Sequence, residues 1–241
     1  ALAEVGSEGA GLVLFDALVS DIPGLVRYRV LRALGTMVRK RAIRVDRDGI
    51  EPELRRNLLE CLRFASLEVA FEEGETAPER ARASHRLLRG LIHDKQRQAR
   101  ERAFRILQML HPNEDFRSVY FSLESDDKRL RAHALEFVEA LTLNAKDELR
   151  ELLRWVIDDL SPRERVERAG AFLEGRPRIR DEALAAMLAD PDDALATLAA
   201  YHVRALALAD LDGEAEAVFS QRRWMPLETM PPPLLDGEIR G

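Results

Sequence analysis

Apolar residues recur at helical spacing along almost all of this 241-residue chain. They return every three or four positions, so each segment carries one apolar stripe, as an α-helix with a single buried face does. Sustained alternation of apolar and polar residues, which is typical of half-buried strands, is absent from the sequence. The clearest stripes are Val26/Val30/Leu34/Met37, Leu58/Leu62/Ala65/Val69, Ala99/Ala103/Ile106/Leu110, Leu130/Ala134/Val138/Leu141 and Leu149/Leu152/Val156/Leu160. The pattern therefore predicts an all-α protein in which these stripes are buried.

Helix-breaking and helix-capping residues fall between the stripes at short intervals. Ser161, Pro162 and Glu164 have the order of a capping box with proline at the first helical position. Pro112 is predicted to stop one helix, and Asn113 to cap the next. We expect about twelve helices of roughly 10–20 residues, joined by loops of a few residues that make consecutive helices antiparallel.

A short signature recurs among the predicted helix starts. An aspartate is followed by an arginine, and an apolar segment comes next. The copies are Asp21 with Arg27, Asp94 with Arg100, and Asp126 with Arg131. Their spacing, allowing one unmatched helix pair, is near the ~40 residues of HEAT and armadillo units.

This signature resembles the HEAT repeat. The resemblance implies a right-handed α-solenoid (HEAT-like or armadillo-like) of about six antiparallel helix pairs. It also implies that the matching aspartates and arginines pair between neighbouring units as structural residues. Because a single unit cannot bury its apolar face, we expect the pairs to stack around one continuous interior. We assign residues 1–220 to the solenoid and residues 221–241 to a proline-containing tail or linker.

One segment resembles a narrower group. Residues 91–107, followed by Leu110-His111-Pro112 and by residues 131–137, are similar to the HEAT region of bacterial nucleotide-transporter-like proteins. In that family a major-facilitator membrane half precedes a cytoplasmic HEAT array, and a cyclic-nucleotide-binding domain sometimes follows. The resemblance implies a non-catalytic scaffolding domain of a larger bacterial membrane protein. The first residue, Ala1, and the proline-rich end fit the expectation of a segment cut from a longer chain.

The charge of the chain is unevenly distributed, although its net value is −6. Residues 27–44 contain basic but no acidic side chains, residues 80–105 are also strongly basic, and residues 181–216 are strongly acidic. Such polarity can orient a protein toward a charged partner. The candidate interaction residues are Arg27, Arg29, Arg39, Lys40, Arg41, Arg86, Arg89 and Arg97.

These basic stretches allow more than one partner. A protein, or a neighbouring domain of the same polypeptide, is the first expectation, and an anionic membrane surface is another. Nucleic acid is the alternative, with Arg27–Arg44 and Arg80–Arg105 tracking phosphates. Against it, only Tyr28 and Phe104 could offer stacking rings, and the chain is acidic overall. A solvated face of internal Glu/Arg pairs, with no partner, also fits the pattern.

The sequence offers little for catalysis. The five histidines are scattered, and none precedes a glutamate as in HEAT-fold metal oxygenases, so we predict neither a metal site nor a cofactor. Gly6–Gly11 lacks the lysine and hydroxyl of a phosphate-binding loop. Cys61 stands alone among apolar neighbours, which predicts a buried thiol and favours a reducing, cytoplasmic compartment. No stretch approaches the ~20 apolar residues of a membrane span. The histidines are His85, His93, His111, His133 and His202.

Overall fold

The fold is all-helical. A computed structural model describes residues 8–20, 22, 24–40, 43–143 and 145–221. These residues form twelve α-helices and two short 3-10 helices, and no strand occurs among them. The prediction of an all-α protein is confirmed.

The helices follow one another with short connections. In chain order they are α1 Glu8–Val19, α2 Gly24–Arg39, α3 Arg47–Phe71, α4 Ala77–Ala81, α5 Ala83–Leu110, α6 Phe116–Leu123, α7 Lys128–Leu141, α8 Asp147–Ile157, α9 Pro162–Arg168, α10 Arg180–Leu188, α11 Asp193–Leu206 and α12 Asp212–Gln221. The 3-10 helices Gly170–Phe172 and Ala209–Leu211 follow α9 and α11.

Two long helices, α3 with 25 residues and α5 with 28, form the centre of the molecule. They lie antiparallel and make the most extensive helix–helix contact of the described chain. Helices α2, α6 and α11 pack on α5, whereas α8, α9 and α10 pack on α3. Helices from both ends of the described chain therefore meet on this central pair.

The buried apolar residues form two clusters. The first joins α1, α2 and α6–α9 to the N-terminal part of α3 and the C-terminal part of α5. The second joins α10–α12 to the opposite ends of the same two helices. Near the boundary, buried Gln96 donates a hydrogen bond of 2.6 Å to buried Glu68. The expectation of one continuous interior is wrong, because polar side chains interrupt the apolar packing there.

The predicted start of α9 is confirmed, and other helix ends follow the same kind of local chemistry. Asp46 caps α3 by accepting from the Gly49 N–H at 3.0 Å. Ser161 and Glu164 form the predicted capping box at the start of α9. Gly74 lies in the turn after α3 with φ of +73°, a left-handed conformation that favours glycine. These ends depend on local chemistry, which the sequence displays directly.

Two other predicted boundaries are wrong. Asp94 and Arg100 do not start a helix, because α5 continues through both of them without a glycine or proline break after Gly90. Asn113 does not cap α6. Asp115 does so instead, by accepting from the Ser118 N–H at 3.1 Å.

Candidate interaction surface

The basic stretch of residues 80–105 is largely neutralised by ion pairs within the protein. Its arginines contact glutamates and an aspartate on the same or neighbouring helices. The pairs are Arg80–Glu75 at 3.1 Å, Arg89–Glu72 at 2.5 Å, Arg97–Asp94 at 3.0 Å, Arg100–Glu124 at 2.7 Å, Arg102–Glu60 at 2.8 Å and Arg105–Glu101 at 2.6 Å. Of the candidate interaction residues, Arg89 and Arg97 are therefore already paired. Arg86 is exposed on α5.

The basic stretch of residues 27–44 behaves differently. Arg29, Arg32, Arg39 and Lys40 are exposed, and their side chains form no ion pair or hydrogen bond with any described residue. Their spacing places them within about 100° of one another around the axis of α2, at 3.6 residues per turn, with Lys40 one residue past the end of the helix. We call these four residues the cationic face. Arg41, predicted beside them, lies outside the described residues.

Arg27 does not belong to this face, although it was a candidate for it. It is 8% exposed, and its Nε lies 3.3 Å from Oε1 of Glu53. Burial raises the pKa of Glu53, while Arg56 and Arg27 oppose that rise. A buried guanidinium paired with a buried carboxylate holds α2 against α3 and is not available to a partner.

The matching aspartates and arginines of the repeat signature do not pair with each other in the described residues. Arg100 contacts Glu124, and Arg131 contacts Asp159 at 3.3 Å. Asp94 contacts Arg97 on its own helix, and Asp126 makes no ion pair with any described residue. Asp21 lies outside the described residues. Arg100 and Arg131 therefore pair with acidic residues just past the ends of neighbouring helices, not with the aspartates of the signature.

A recurring arginine bond was not predicted. Four helices have an arginine at their fourth position that donates to a carbonyl just after the end of the preceding helix. The bonds are Arg27 to Ser20 at 3.3 Å, Arg131 to Ser125 at 2.7 Å, Arg150 to Leu143 at 3.3 Å and Arg165 to Asp158 at 3.3 Å. Each bond satisfies a free carbonyl at a helix C-terminus. The sequence signal is an arginine four residues after the N-cap, as in Ser161 and Arg165.

Several apolar side chains that precede the cationic face in the chain are exposed. Leu12, Val13 and Val19 on α1 are 63%, 56% and 48% exposed, and Val26 on α2 is 43% exposed. Helices α1 and α2 pack against each other. The prediction that Val26 belongs to the buried stripe is wrong, and so is that for Leu130, which is 48% exposed. Exposed Asp16 lies among the three apolar side chains of α1, four residues after Leu12 and three before Val19.

The two aromatic rings that could have stacked on nucleic-acid bases are occupied. Phe104 is 3% exposed and packs edge-on against Phe116 and Tyr120. The guanidinium of Arg105 covers the ring of Tyr28 at 4.7 Å and donates to its hydroxyl at 2.9 Å. Phe104 therefore offers no free face to a base, and Arg105 covers one face of Tyr28.

The buried histidines form a packed cluster where α11 meets α5. The His85 ring stacks on Phe71 at 4.7 Å, and His202 meets both rings edge-on. His202 Nδ1 lies 2.9 Å from the Ser84 hydroxyl, and its Nε2 has no hydrogen-bond partner among the described residues. Burial lowers the pKa of His202 to about 4. The imidazoles therefore serve as neutral core rings at ordinary pH.

Two clefts of about 340 Å³ each lie away from α1 and α2. The first lies between α7 and α8, and the second between α3 and the segment after α9. Several charged groups that line them are bonded internally, as when Arg63 of the second cleft contacts Asp190 at 2.7 Å. Over the described part of the chain, no group of three or more His, Cys, Asp or Glu residues could hold a metal ion.

Comparisons of the chain with protein families, with curated proteins and with solved structures gave no match. Of the helices that the structure describes, none is both long enough and apolar enough to cross a membrane. The cationic face is the most distinctive feature of the candidate surface.

Proposed function

We propose that this protein is a non-catalytic interaction module that binds an anionic partner through the cationic face of α2. The observation that carries the proposal is the contrast between the two basic stretches. On α5 most arginines are bonded to acidic side chains of the same protein, whereas the four cations along and just past α2 have no partner among the described residues. Unpaired like charges on one face repel one another, and an anionic partner relieves that repulsion.

The proposed scaffold is a right-handed, HEAT-like solenoid of about six helix pairs. Helices that are next to each other in the chain contact in the pairs α1–α2, α6–α7, α8–α9 and α10–α11, α3 contacts α5 across the short α4, and α12 packs on α11. The fourth-position arginines support a repeating unit, because each one ties a helix to the end of the one before. In this architecture the central pair α3–α5 receives units from both sides.

The proposed setting is the cytoplasmic HEAT domain of a larger bacterial transporter-like membrane protein. It rests on the resemblance of residues 91–107 and 131–137 to that family. The partner would be a protein or a neighbouring domain of the same polypeptide. Charge polarity would orient the contact, since α2 packs on the C-terminal part of α5, whereas the acidic segment around α11 packs on its N-terminal part.

Binding of fluorescent polyglutamate, measured by anisotropy, tests the proposal. The test variant replaces Arg29, Arg32, Arg39 and Lys40 with glutamine. A matched control replaces Arg80, Arg89, Arg97 and Arg163, which are exposed but paired. We expect the test variant to lose binding and the control to keep it. Equal losses in both variants, or no binding by the wild-type protein, would contradict the proposal.

Nucleic acid remains the second candidate, because unpaired arginines and lysine also suit phosphates. The occupied rings of Tyr28 and Phe104 weigh against base stacking. A salt titration with short duplex DNA separates the two candidates. Tighter binding to DNA than to polyglutamate of equal charge, with a steep salt dependence, would favour nucleic acid.

A further inference from the structure

We infer that the cationic face of one copy of this protein binds an acidic surface at the opposite end of a second copy, so that molecules associate head to tail. The acidic surface consists of Asp210, Asp212 and Glu214, around the start of α12. We call these three residues the acidic tip. The inference rests on the proposed function, because it uses the same cationic face and names its anionic partner.

The acidic tip is exposed on an ordered segment. Asp210, Asp212 and Glu214 are exposed, and their carboxylates form no ion pair with any described residue. Leu211 and Ala215 lie among them in the chain and are buried in the second apolar cluster. The segment is therefore anchored, and it presents three nearby negative charges to solvent.

The acidic tip lies at the end of the molecule where α5 begins. Helix α11 runs antiparallel to α5, since Asp192 at its start contacts Lys95, and His202 near its end contacts Ser84. The chain that leaves α11 therefore passes the start of α5. Helix α12 then packs back along α11, so the acidic tip lies at the turn between these two helices.

Basic side chains at this end of the molecule do not neutralise the acidic tip. Arg204 on α11 pairs with Glu216, and Arg89 on α5 pairs with Glu72 at 2.5 Å. Arg82, exposed just before α5, forms no ion pair with any described residue. The charge of the acidic tip is therefore available to cations of another molecule.

The cationic face lies toward the other end of α5. Helix α2 runs in the same direction as α5, since Tyr28 accepts a hydrogen bond from Arg105, and Gly35 lies against the side chain of Met109. The last residues of α2 therefore reach the end of α5. Between Ser84 and Met109, α5 rises by about 38 Å, at 1.5 Å per residue.

Two surfaces this far apart cannot neutralise each other within one molecule. At about 0.1 M salt, electrostatic interactions are screened over about 10 Å, roughly a quarter of that separation. The opposite charges can meet when two copies align, and complementary charge then favours the contact. Because the two surfaces differ, every bound pair leaves one cationic face and one acidic tip free. Association can therefore continue beyond a dimer.

Helix dipoles explain only part of this charge pattern. Cations near the C-terminus of a helix and anions near its N-terminus are stabilising, and Arg39, Lys40 and Asp212 have such positions. Arg29 and Arg32 lie in the body of α2, where the helix dipole does not favour a cation. An acidic partner surface accounts for these two arginines.

Sedimentation velocity of the whole chain tests the inference, at about 0.01 M and about 1 M salt, where the screening lengths are about 30 Å and 3 Å. The face variant carries glutamine at all four positions of the cationic face. The tip variant carries Asp210→Asn, Asp212→Asn and Glu214→Gln. Circular dichroism checks that each variant is folded.

A matched control carries Glu151→Gln, Glu167→Gln and Glu174→Gln. These glutamates are exposed on other parts of the molecule and form no ion pair with any described residue. The control removes as many negative charges as the tip variant does, so it separates the position of the charge from the net charge.

We expect the sedimentation coefficient of the wild type to rise with protein concentration at low salt and to stay constant at high salt. Loss of the ion pairs should weaken association by about tenfold or more in the face and tip variants, while the control stays within about twofold of wild type. Polyglutamate should compete with the acidic tip and return the wild type to monomers.

A mixture of the face variant and the tip variant gives the sharpest expectation. The intact acidic tip of the first should bind the intact cationic face of the second. Each molecule then has one working surface, so the mixture should form a dimer of one copy of each and nothing larger. Each variant alone should stay monomeric under the same conditions.

The inference is overturned if the wild type stays monomeric at low salt, if either variant associates as well as wild type, or if the mixture does not associate. If polyglutamate still binds in such a case, the proposed function stands, with a different acidic protein as the partner. If the wild type neither associates nor binds polyglutamate, both the inference and the proposed function fail.

Discussion

The imidazole of His202 is fully buried between Phe71, His85 and Ser84, and one of its ring nitrogens has no partner among the described residues. Burial is the main reason that its pKa falls to about 4, and the neighbouring His85 lowers it further. Arg180 acts in the same direction, whereas Glu79 opposes it. Burial likewise lowers the pKa of His85, although Glu75 beside it pulls the other way. The folded protein therefore keeps His202 neutral where the unfolded chain would protonate it.

This arrangement predicts a stability that falls with acidity. Below the ordinary histidine pKa of about 6.5, His202 binds a proton in the unfolded state but stays neutral in the folded state. The free energy of unfolding therefore decreases as pH drops toward 4. His202 alone should account for about 3 kcal/mol across that window. The His202→Gln variant should show a flatter pH profile in urea unfolding. The His133→Gln control, at an exposed histidine, should follow wild type. If the free energies of unfolding of wild type and His202→Gln changed in parallel with pH, the prediction would be contradicted.

Single residues were predictable from sequence where their neighbours in the chain decide the outcome. Cys61 is buried as predicted, with apolar residues on both sides of it. Val26 fits a stripe equally well and is exposed, because α2 is covered only on the side that packs against α1 and α5. The pairing of Arg100 with Glu124 depends on which helices are neighbours in the fold, and the local spacing of residues does not predict that. The sequence showed the cationic face as a run of basic residues, but it did not show that these side chains lack a partner among the described residues.

At the scale of helices, the fourth-position arginines link successive elements. Arg131 donates to the Ser125 carbonyl at 2.7 Å and also reaches Asp159 beyond α8. One side chain thus joins α7 to the helix before it and to the end of the helix after it. Helix starts were well predicted by caps such as Ser161, but the length of α5 was not. Residues 83–110 contain the Asp94–Arg100 copy of the signature, which indicated a break that the helix does not make.

We expect Arg131→Gln to lower the free energy of unfolding by about 1–2 kcal/mol, because a charge-assisted bond to a helix-terminal carbonyl is lost. Arg129 lies two residues away with an exposed side chain, and Arg129→Gln should change stability by less than about 0.5 kcal/mol. Chemical denaturation of both variants gives the comparison. Equal effects would mean that the bond to Ser125 contributes nothing.

At the scale of the molecule, α3 and α5 run through both buried clusters and connect them. Both clusters include side chains of these two helices. Displacing the helices from one cluster would therefore also expose apolar side chains of the other. The apolar stripes predicted that each helix has a buried face. They could not predict which helices share it, and the packing of α10 on α3 joins residues more than a hundred positions apart. Segments far apart in the chain pack on the same central pair, and local periodicity does not predict such long-range contacts.

The shared helices predict one cooperative unfolding transition. Leu34 lies in the first cluster and Leu184 in the second, and both are fully buried. Leu34→Ala and Leu184→Ala should each cost about 2–5 kcal/mol and shift the same calorimetric peak to lower temperature. Two separate peaks, with each variant moving only one of them, would show that the clusters unfold independently.

The most direct measurement of the central claim is arginine labelling with phenylglyoxal, read by mass spectrometry with and without bound polyglutamate. Unpaired guanidinium groups should react fastest, so Arg29, Arg32 and Arg39 should lead the paired Arg89 and Arg97 in the free protein. Bound polyglutamate should slow the first three and leave Arg89 and Arg97 unchanged. Equal reactivity of the two sets, or protection confined to α5, would contradict the assignment of α2 as the interaction surface.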